Sequence, residues 1–125
     1  AKLNEKPSAY HLGFIFGPRV NAGGRVGQSD LGARLLSTDD PAEATALASR
    51  LDDYNQERRQ IEEGVLREAA EQAERQHGAV LVVAGRGWHP GVIGIVAGRL
   101  KERYHRPACV IALDGSAGKG SGRSI

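Results

Sequence analysis

Apolar residues recur at helical spacing through the middle of the chain: Ala44, Leu47, Leu51 and Tyr54, then Ile61, Val65, Ala69 and Ala73. This pattern predicts one long helix over 41–76. Asp40 is placed to cap it, Pro41 suits the first helical position, and Glu43 stands where a capping box carries its acid. At 1.5 Å per residue the helix would span roughly 50 Å. Positions 55–60, Asn-Gln-Glu-Arg-Arg-Gln, are polar all round. Apolar ends and a polar waist suit a helix that crosses solvent between two packed bodies, so these six residues are expected to touch neither core. Gly64 lowers helix stability by about 1 kcal/mol relative to Ala and marks a candidate bend.

Past Gly78 the period changes. Residues 79–84, Ala-Val-Leu-Val-Val-Ala, form a continuous apolar run, the pattern of a strand buried on both faces. A helix is predicted over 92–104, with Gly91, Gly94 and Gly98 sharing a face suited to close packing. A second strand is predicted over 108–113, and Gly118-Lys119-Gly120-Ser121-Gly122-Arg123-Ser124 follows as a glycine-rich loop. Strand, helix and strand predict a right-handed βαβ unit and an α/β fold.

The amino-terminal third is less regular. Residues 10–16 are apolar and fit an edge strand or a buried turn. The next eleven carry four glycines and a proline, a composition that argues against regular structure. Arg19, Asn21 and Arg25 in so permissive a backbone suggest a binding loop, although a plain connector has the same composition. A short helix is expected over 31–36.

Composition adds little. The net charge of +2 is too small to imply a polyanionic partner. The single cysteine, Cys109, lies in an apolar run and excludes a disulfide framework, which fits a cytoplasmic protein. No stretch approaches the ~20 apolar residues of a membrane span. A chain without methionine that stops on an apolar Ile125 reads as a piece of a longer protein.

The candidate chemistry is anion binding. Both glycine-bearing turns follow predicted strands, where ligands sit in open α/β sheets. Alternating glycines at 118–122 would let successive N–H groups converge on an anion, with hydroxyls from Ser121 and Ser124 and a bidentate grip from Arg123. Alternatively, Arg123 pairs with Asp114 and staples the loop. His89, at a helix start, can donate to a phosphate or act in an accessory catalytic role as a general acid; a turn-stabilising histidine is equally consistent. The segment Gly85-Arg86-Gly87 through Gly91 is spaced G-x-G-x-x-x-G, which fits a dinucleotide site poorly. No histidines stand at metal-ligand spacing, and no metal site is expected within this chain.

Three segments together resemble the RecJ family of single-strand-specific DNA exonucleases, in the DHH phosphoesterase superfamily. They are Gly17-Pro18-Arg19-Val20-Asn21-Ala22-Gly23-Gly24-Arg25, Gly87-Trp88-His89-Pro90-Gly91-Val92-Ile93-Gly94-Ile95-Val96-Ala97, and Gly118 through Ile125. The resemblance implies an incomplete piece of a two-lobed enzyme. Residues 1–40 would be the end of a DHH domain with its Gly/Arg loop, 41–77 a connecting helix, and 78–125 part of a DHHA1 sheet domain. It implies 5′→3′ degradation of single-stranded DNA in repair and recombination. Mn²⁺ or Mg²⁺ would be bound by residues outside this chain, and replication or repair proteins would be partners. Arg19, Asn21 and Arg25 would line one side of the cleft; His89, Ser121, Gly122, Arg123 and Ser124 would hold DNA phosphates, the 5′ one included, on the other. Two other classes fit the residues: a related phosphodiesterase of oligonucleotides or cyclic dinucleotides, and a non-catalytic nucleic-acid-binding module.

Overall fold

A computed structural model of the chain describes residues 3–125. It divides into two compact units that meet in sequence at Arg59 and Gln60.

The first unit is helical. A π-helical stretch, His11–Phe16, runs directly into α1 (Gly17–Val26), and α2 (Leu31–Ser37) follows. Both expectations for residues 10–27 are therefore corrected: there is no strand or buried turn at 10–16, and the Gly/Pro/Arg segment is a helix. Pro18 has no N–H and its ring crowds the carbonyl four residues back, which ordinarily breaks a helix. Here the wider π turn lies immediately upstream, and the Gly17 N–H donates to the Leu12 carbonyl five residues back. The poor helix propensity of α1 is offset by close packing. A Cβ on Gly23 would come within 2.8 Å of the Gln28 carbonyl oxygen and 3.1 Å of the Leu51 side chain. The core of this unit is Leu31, Leu47 and Leu51, with Leu35 and Tyr54 packed on it.

The long helix, α3, spans Pro41–Ala73 and continues through Gly64. At its start the Asp40 carboxylate accepts the Ala42 N–H at 2.9 Å. Glu43 does not close a reciprocal box. It accepts from the Thr38 hydroxyl at 2.7 Å and from Arg34 at 3.3 Å, while the Asp40 N–H donates to the Thr38 hydroxyl. The Thr38 and Arg34 bonds hold the Glu43 carboxyl below its ordinary value. The polar waist is also corrected. Asn55 is only 1% exposed, because it lies one helical turn beyond Leu51 and extends the inward stripe. Its side-chain oxygen accepts from Arg58 at 3.1 and 3.2 Å. Gln56, Glu57, Arg59 and Gln60 are exposed as expected.

The second unit holds the end of α3, β1 (Leu81–Arg86), α4 (Ile93–Tyr104), β2 (Ala108–Asp114) and β3 (Ala117–Arg123). The sheet order is β1-β2-β3, with β1 parallel to β2 and β3 antiparallel to it. The expected βαβ unit is present, and the fold is α/β. β1 is covered on one face only: Leu81 and Val83 are buried, whereas Val82 between them is 51% exposed. Val65, Ala69 and Ala73 of α3 and Ile93, Val96, Ala97 and Leu100 of α4 build the core on the covered face, with Val110 and Ala112 of β2.

The expected glycine-rich loop is instead strand β3. Asp114 pairs with Ala117, leaving Gly115 and Ser116 as a two-residue turn in which Gly115 takes φ 56°. Such a turn needs positive φ at its first central residue, which glycine supplies. The Asp-Gly pair after an apolar strand was the sequence signal for this hairpin.

The free edge of β1 is covered by side chains. Gln72 on α3 and Gln76, three residues beyond its end, each bond a strand residue twice. Gln72 donates to the Ala84 carbonyl at 2.8 Å and accepts its N–H at 3.1 Å; Gln76 does the same to Val82 at 2.7 and 3.0 Å. Strand residues two apart lie about 6.6 Å apart, and the two amides take Ala84 and Val82, which are so spaced. The two amides occupy the place of a neighbouring strand. Gln72→Ala should cost about 1–2 kcal/mol in urea unfolding, since it orphans a half-buried N–H and carbonyl. Gln76→Ala should cost less, because its bonds are exposed to water. A Gln72→Ala cost no larger than that of Gln76→Ala would show that the ladder adds nothing.

Candidate phosphate-binding site

Period-2 alternation sorts β3 into two rows. Gly118, Gly120 and Gly122 lie on the face with Leu113, Ile111 and Cys109; Lys119, Ser121 and Arg123 lie opposite Ala112, Val110 and Ala108, on the core side. Every second residue is glycine, so one face of β3 carries no side chain. The other carries only polar ones beyond Ala117.

On the core side α4 approaches closely. A Cβ built on Gly94 would lie 3.0 Å from a terminal nitrogen of Arg123 and 3.1 Å from the Ser121 hydroxyl. Both groups thus rest against the backbone of the first turn of α4, where the helix dipole favours an anion. Arg123 donates to the Ser121 hydroxyl at 3.2 Å and to the Gly122 carbonyl at 2.7 Å through Nη1. Ser121 is half-buried, and Arg123 and Ser124 are exposed. Of the glycines expected to pack closely, Gly94 faces these groups, whereas a Cβ on Gly98 would meet nothing within 4 Å.

Two expectations for this segment are corrected. An anion nest needs consecutive N–H groups on one side, whereas a strand alternates them, so the anion groups are side chains and a helix end. Asp114 cannot staple Arg123, because the two stand at opposite ends of the hairpin, paired with Ala117 and Ala108 respectively.

His89 lies in the turn between β1 and α4. Its Nδ1 accepts the Gly91 N–H at 2.9 Å. The adjacent Trp88 is 5% exposed, and its indole lies against Gly85, where any Cβ would overlap the ring. The indole N–H donates to the Glu68 carboxylate of α3 at 2.8 Å. A cavity of about 530 Å³ opens at the carboxyl ends of β1 and β2, lined by Trp88, His89, Pro90, Leu113, Asp114 and Lys119 among others. Sequence reasoning passed over Lys119, although the same alternation that singles out Ser121 and Arg123 includes it. Nothing in the sequence pointed to Glu68, which reaches Trp88 across the fold.

In the first unit the helical conformation of α1 separates the expected trio. Asn21 and Arg25, four residues apart, share one exposed face. Arg19 turns away from them. It donates through Nε to Asp52 of α3 at 2.6 Å and through Nη1 to the Ile15 carbonyl at 2.7 Å. That bond holds the Asp52 carboxyl below its ordinary value of 3.8. Among the described residues no group of three or more His, Cys, Asp or Glu is placed to hold a metal ion. No helix among them is long and apolar enough to cross a membrane.

Residues 76–125 match the DHHA1 domain. The chain is 44% identical over 128 residues to the single-stranded-DNA-specific exonuclease RecJ of Escherichia coli, covering 97% of this chain and 22% of that protein. It is 44% identical over 118 residues to RecJ of Bacillus subtilis, covering 91% of this chain and 15% of the relative. The crystal structure of Thermus thermophilus RecJ in complex with Mg²⁺ superposes with a TM-score of 0.88 at 38% identity, over 98% of this chain and 19% of that one. A RecJ structure bound to manganese gives 0.81 at 40% identity, over 94% of this chain and 29% of that one. The chain therefore spans about a fifth of the length of the curated relatives it matches.

Two outcomes follow from this geometry. Gly94→Ala should leave thermal stability unchanged or slightly raised, since Ala favours the helix by about 1 kcal/mol and only flexible side-chain ends must move. It should weaken titrated binding of a 5′-phosphorylated oligonucleotide about tenfold, the worth of one charge-assisted bond. Unaltered affinity would remove α4 from the site. The second concerns Asp52. Its depressed carboxyl contributes stability above its ordinary value and loses it as pH falls through the lower folded value. Asp52→Asn should therefore destabilise by about 1 kcal/mol or less at neutral pH. In urea melts the difference from wild type should shrink as pH falls below the ordinary carboxylate value.

Proposed function

We propose that this chain, which resembles the RecJ single-stranded-DNA-specific exonucleases over nearly its whole length, is the DNA-holding part of a 5′→3′ single-strand exonuclease acting in repair and recombination. The observation that carries the reading is the convergence of Arg123, Ser121 and the first turn of α4 at Gly94. A guanidinium, a hydroxyl and a helix amino end supply the donors and positive potential that a phosphate requires. A terminal phosphate carries more charge and more free oxygens than an internal diester, so this cluster favours the 5′ end. Gly122 and Ser124 supply backbone and hydroxyl beside Arg123, and His89 donates to another phosphate of the strand. Asn21 and Arg25, on the exposed face of α1, contact the DNA strand from the first unit. Arg19 orients α1 on α3 through Asp52 and reaches the strand only with its remaining nitrogen.

The hydrolytic step belongs to the longer protein. Related structures are described with Mg²⁺ and with Mn²⁺. Among the described residues no group of three or more His, Cys, Asp or Glu is placed to hold either ion. We assign the metal to residues outside this chain. The role of this segment is to bind, orient and register the substrate. A cytoplasmic location and partners among replication and repair proteins accord with this activity.

The test uses the longer protein and the isolated chain side by side. In the longer protein, Arg123→Ala should lose about 1.5–3 kcal/mol of binding to 5′-phosphorylated single strands, the range for bonds to charged groups. The preference over 5′-hydroxyl ends should narrow. The isolated chain should release no nucleotides from labelled DNA with Mn²⁺. A mutant that binds weakly yet keeps the full end preference would make Arg123 a general backbone contact. Metal-dependent release by the repurified chain would overturn the division of labour.

A further inference from the structure

We propose that the cavity at the carboxyl ends of β1 and β2 is a second subsite, holding an internal phosphodiester of the strand between Lys119 and His89. The inference rests on reading Ser121 and Arg123 as the first phosphate site.

The row on the core side of β3 sets the geometry. Lys119, Ser121 and Arg123 repeat every two residues, about 6.6 Å, so Lys119 stands about 13 Å along the strand from Arg123. An extended nucleic-acid chain advances by a comparable step per nucleotide. DNA anchored at Ser121 and Arg123 and running along β3 therefore brings a later phosphate to Lys119. Lys119 lines the cavity together with His89.

His89 lines the same cavity and can act there as a donor. Its Nδ1 accepts from the Gly91 backbone N–H, a group that can only donate. In the neutral ring the proton is consequently on Nε2, and the free edge of the imidazole is an N–H. The orientation is held from behind: Trp88 lies over Gly85 and is tied to Glu68 at 2.8 Å. Glu68 is thus a positioning residue for His89. A cation and a neutral donor in one cavity suit a singly charged diester.

The remaining walls fit the rest of a nucleotide. Trp88, Pro90 and Leu113 offer apolar surface, and about 530 Å³ is roomy enough for a base and sugar. Asp114 also lines the cavity. Its carboxylate repels a phosphate from its own side and is left to accept an N–H from the base. The phosphate is thereby confined to the Lys119 and His89 side.

Trp88 is the only tryptophan in the chain and lines the cavity, so its fluorescence reports occupancy. Titrations of the 125-residue chain would compare thymidine 5′-phosphate with the 5′-phosphorylated thymidine trinucleotide. They would add the trinucleotide with neutral methylphosphonate internal linkages. The wild-type chain should bind the natural trinucleotide about tenfold tighter than the mononucleotide. Methylphosphonate linkages or Lys119→Gln should abolish that gain and leave mononucleotide affinity unchanged. A gain that survives either change overturns the subsite, and so does equal binding of the two natural ligands. Failure of the mononucleotide to bind, with a Lys119-dependent trinucleotide still binding, would sink the first phosphate site and sustain the second. Nitrogen-15 NMR of His89 gives a readout independent of DNA. The neutral ring should be the Nε2–H form, kept in Glu68→Gln, which still accepts from the indole. An Nδ1–H ring in the wild-type chain would remove His89 from the subsite.

Discussion

Ser121 and Arg123 stand on the core side of β3 because their partners across the ladder are the buried Val110 and Ala108. A shift of one residue in this pairing would turn the polar row outward and set glycines against α4. The arginine and the hydroxyl would then lie on the far face of the sheet. The register itself is held from two ends. At one, Gly115 fixes a two-residue turn; along the strand, the apolar residues of β2 keep their own faces. The glycines opposite Cys109, Ile111 and Leu113 leave the second face open and let the polar row be the sole side-chain content beyond Ala117.

The carboxy-terminal turns of α3 do three things at once. Val65, Ala69 and Ala73 enter the core, Gln72 bonds the edge of β1, and Glu68 anchors the Trp88 indole. Helical periodicity allows this, since the three sets project at different angles around one axis. One consequence is that the turn carrying His89 is positioned by the same helix that closes the sheet edge. Loosening that helix would disturb both the edge and the turn.

In the first unit, small residues determine how close helices come. Gly23 lets α1 approach α3 at Leu51, and the Arg19–Asp52 pair locks the rotation of α1. That rotation is what leaves Asn21 and Arg25 together on the exposed face.

Helical periodicity and caps determined α3 from sequence, including its start at Asp40 and Pro41. Apolar runs separated by glycine determined β1, α4 and β2, because burial of one face imposes those patterns regardless of neighbours. Local composition misled where a longer-range partner decided the outcome. Residues 17–26 have loop composition, yet the adjacent π turn and close packing on α3 make them helical. Asn55 is polar, yet its place one turn after Leu51 takes it inward. The 118–123 segment also reads as a loop by composition, and only pairing with β2 makes it a strand. The candidate anion groups Ser121 and Arg123 were visible in sequence as residue types. Which side of the sheet they share, that Gly94 lies against them, and that Lys119 joins their row were settled by tertiary structure alone. Register and close approach depend on residues distant in the chain, and no local pattern encodes them.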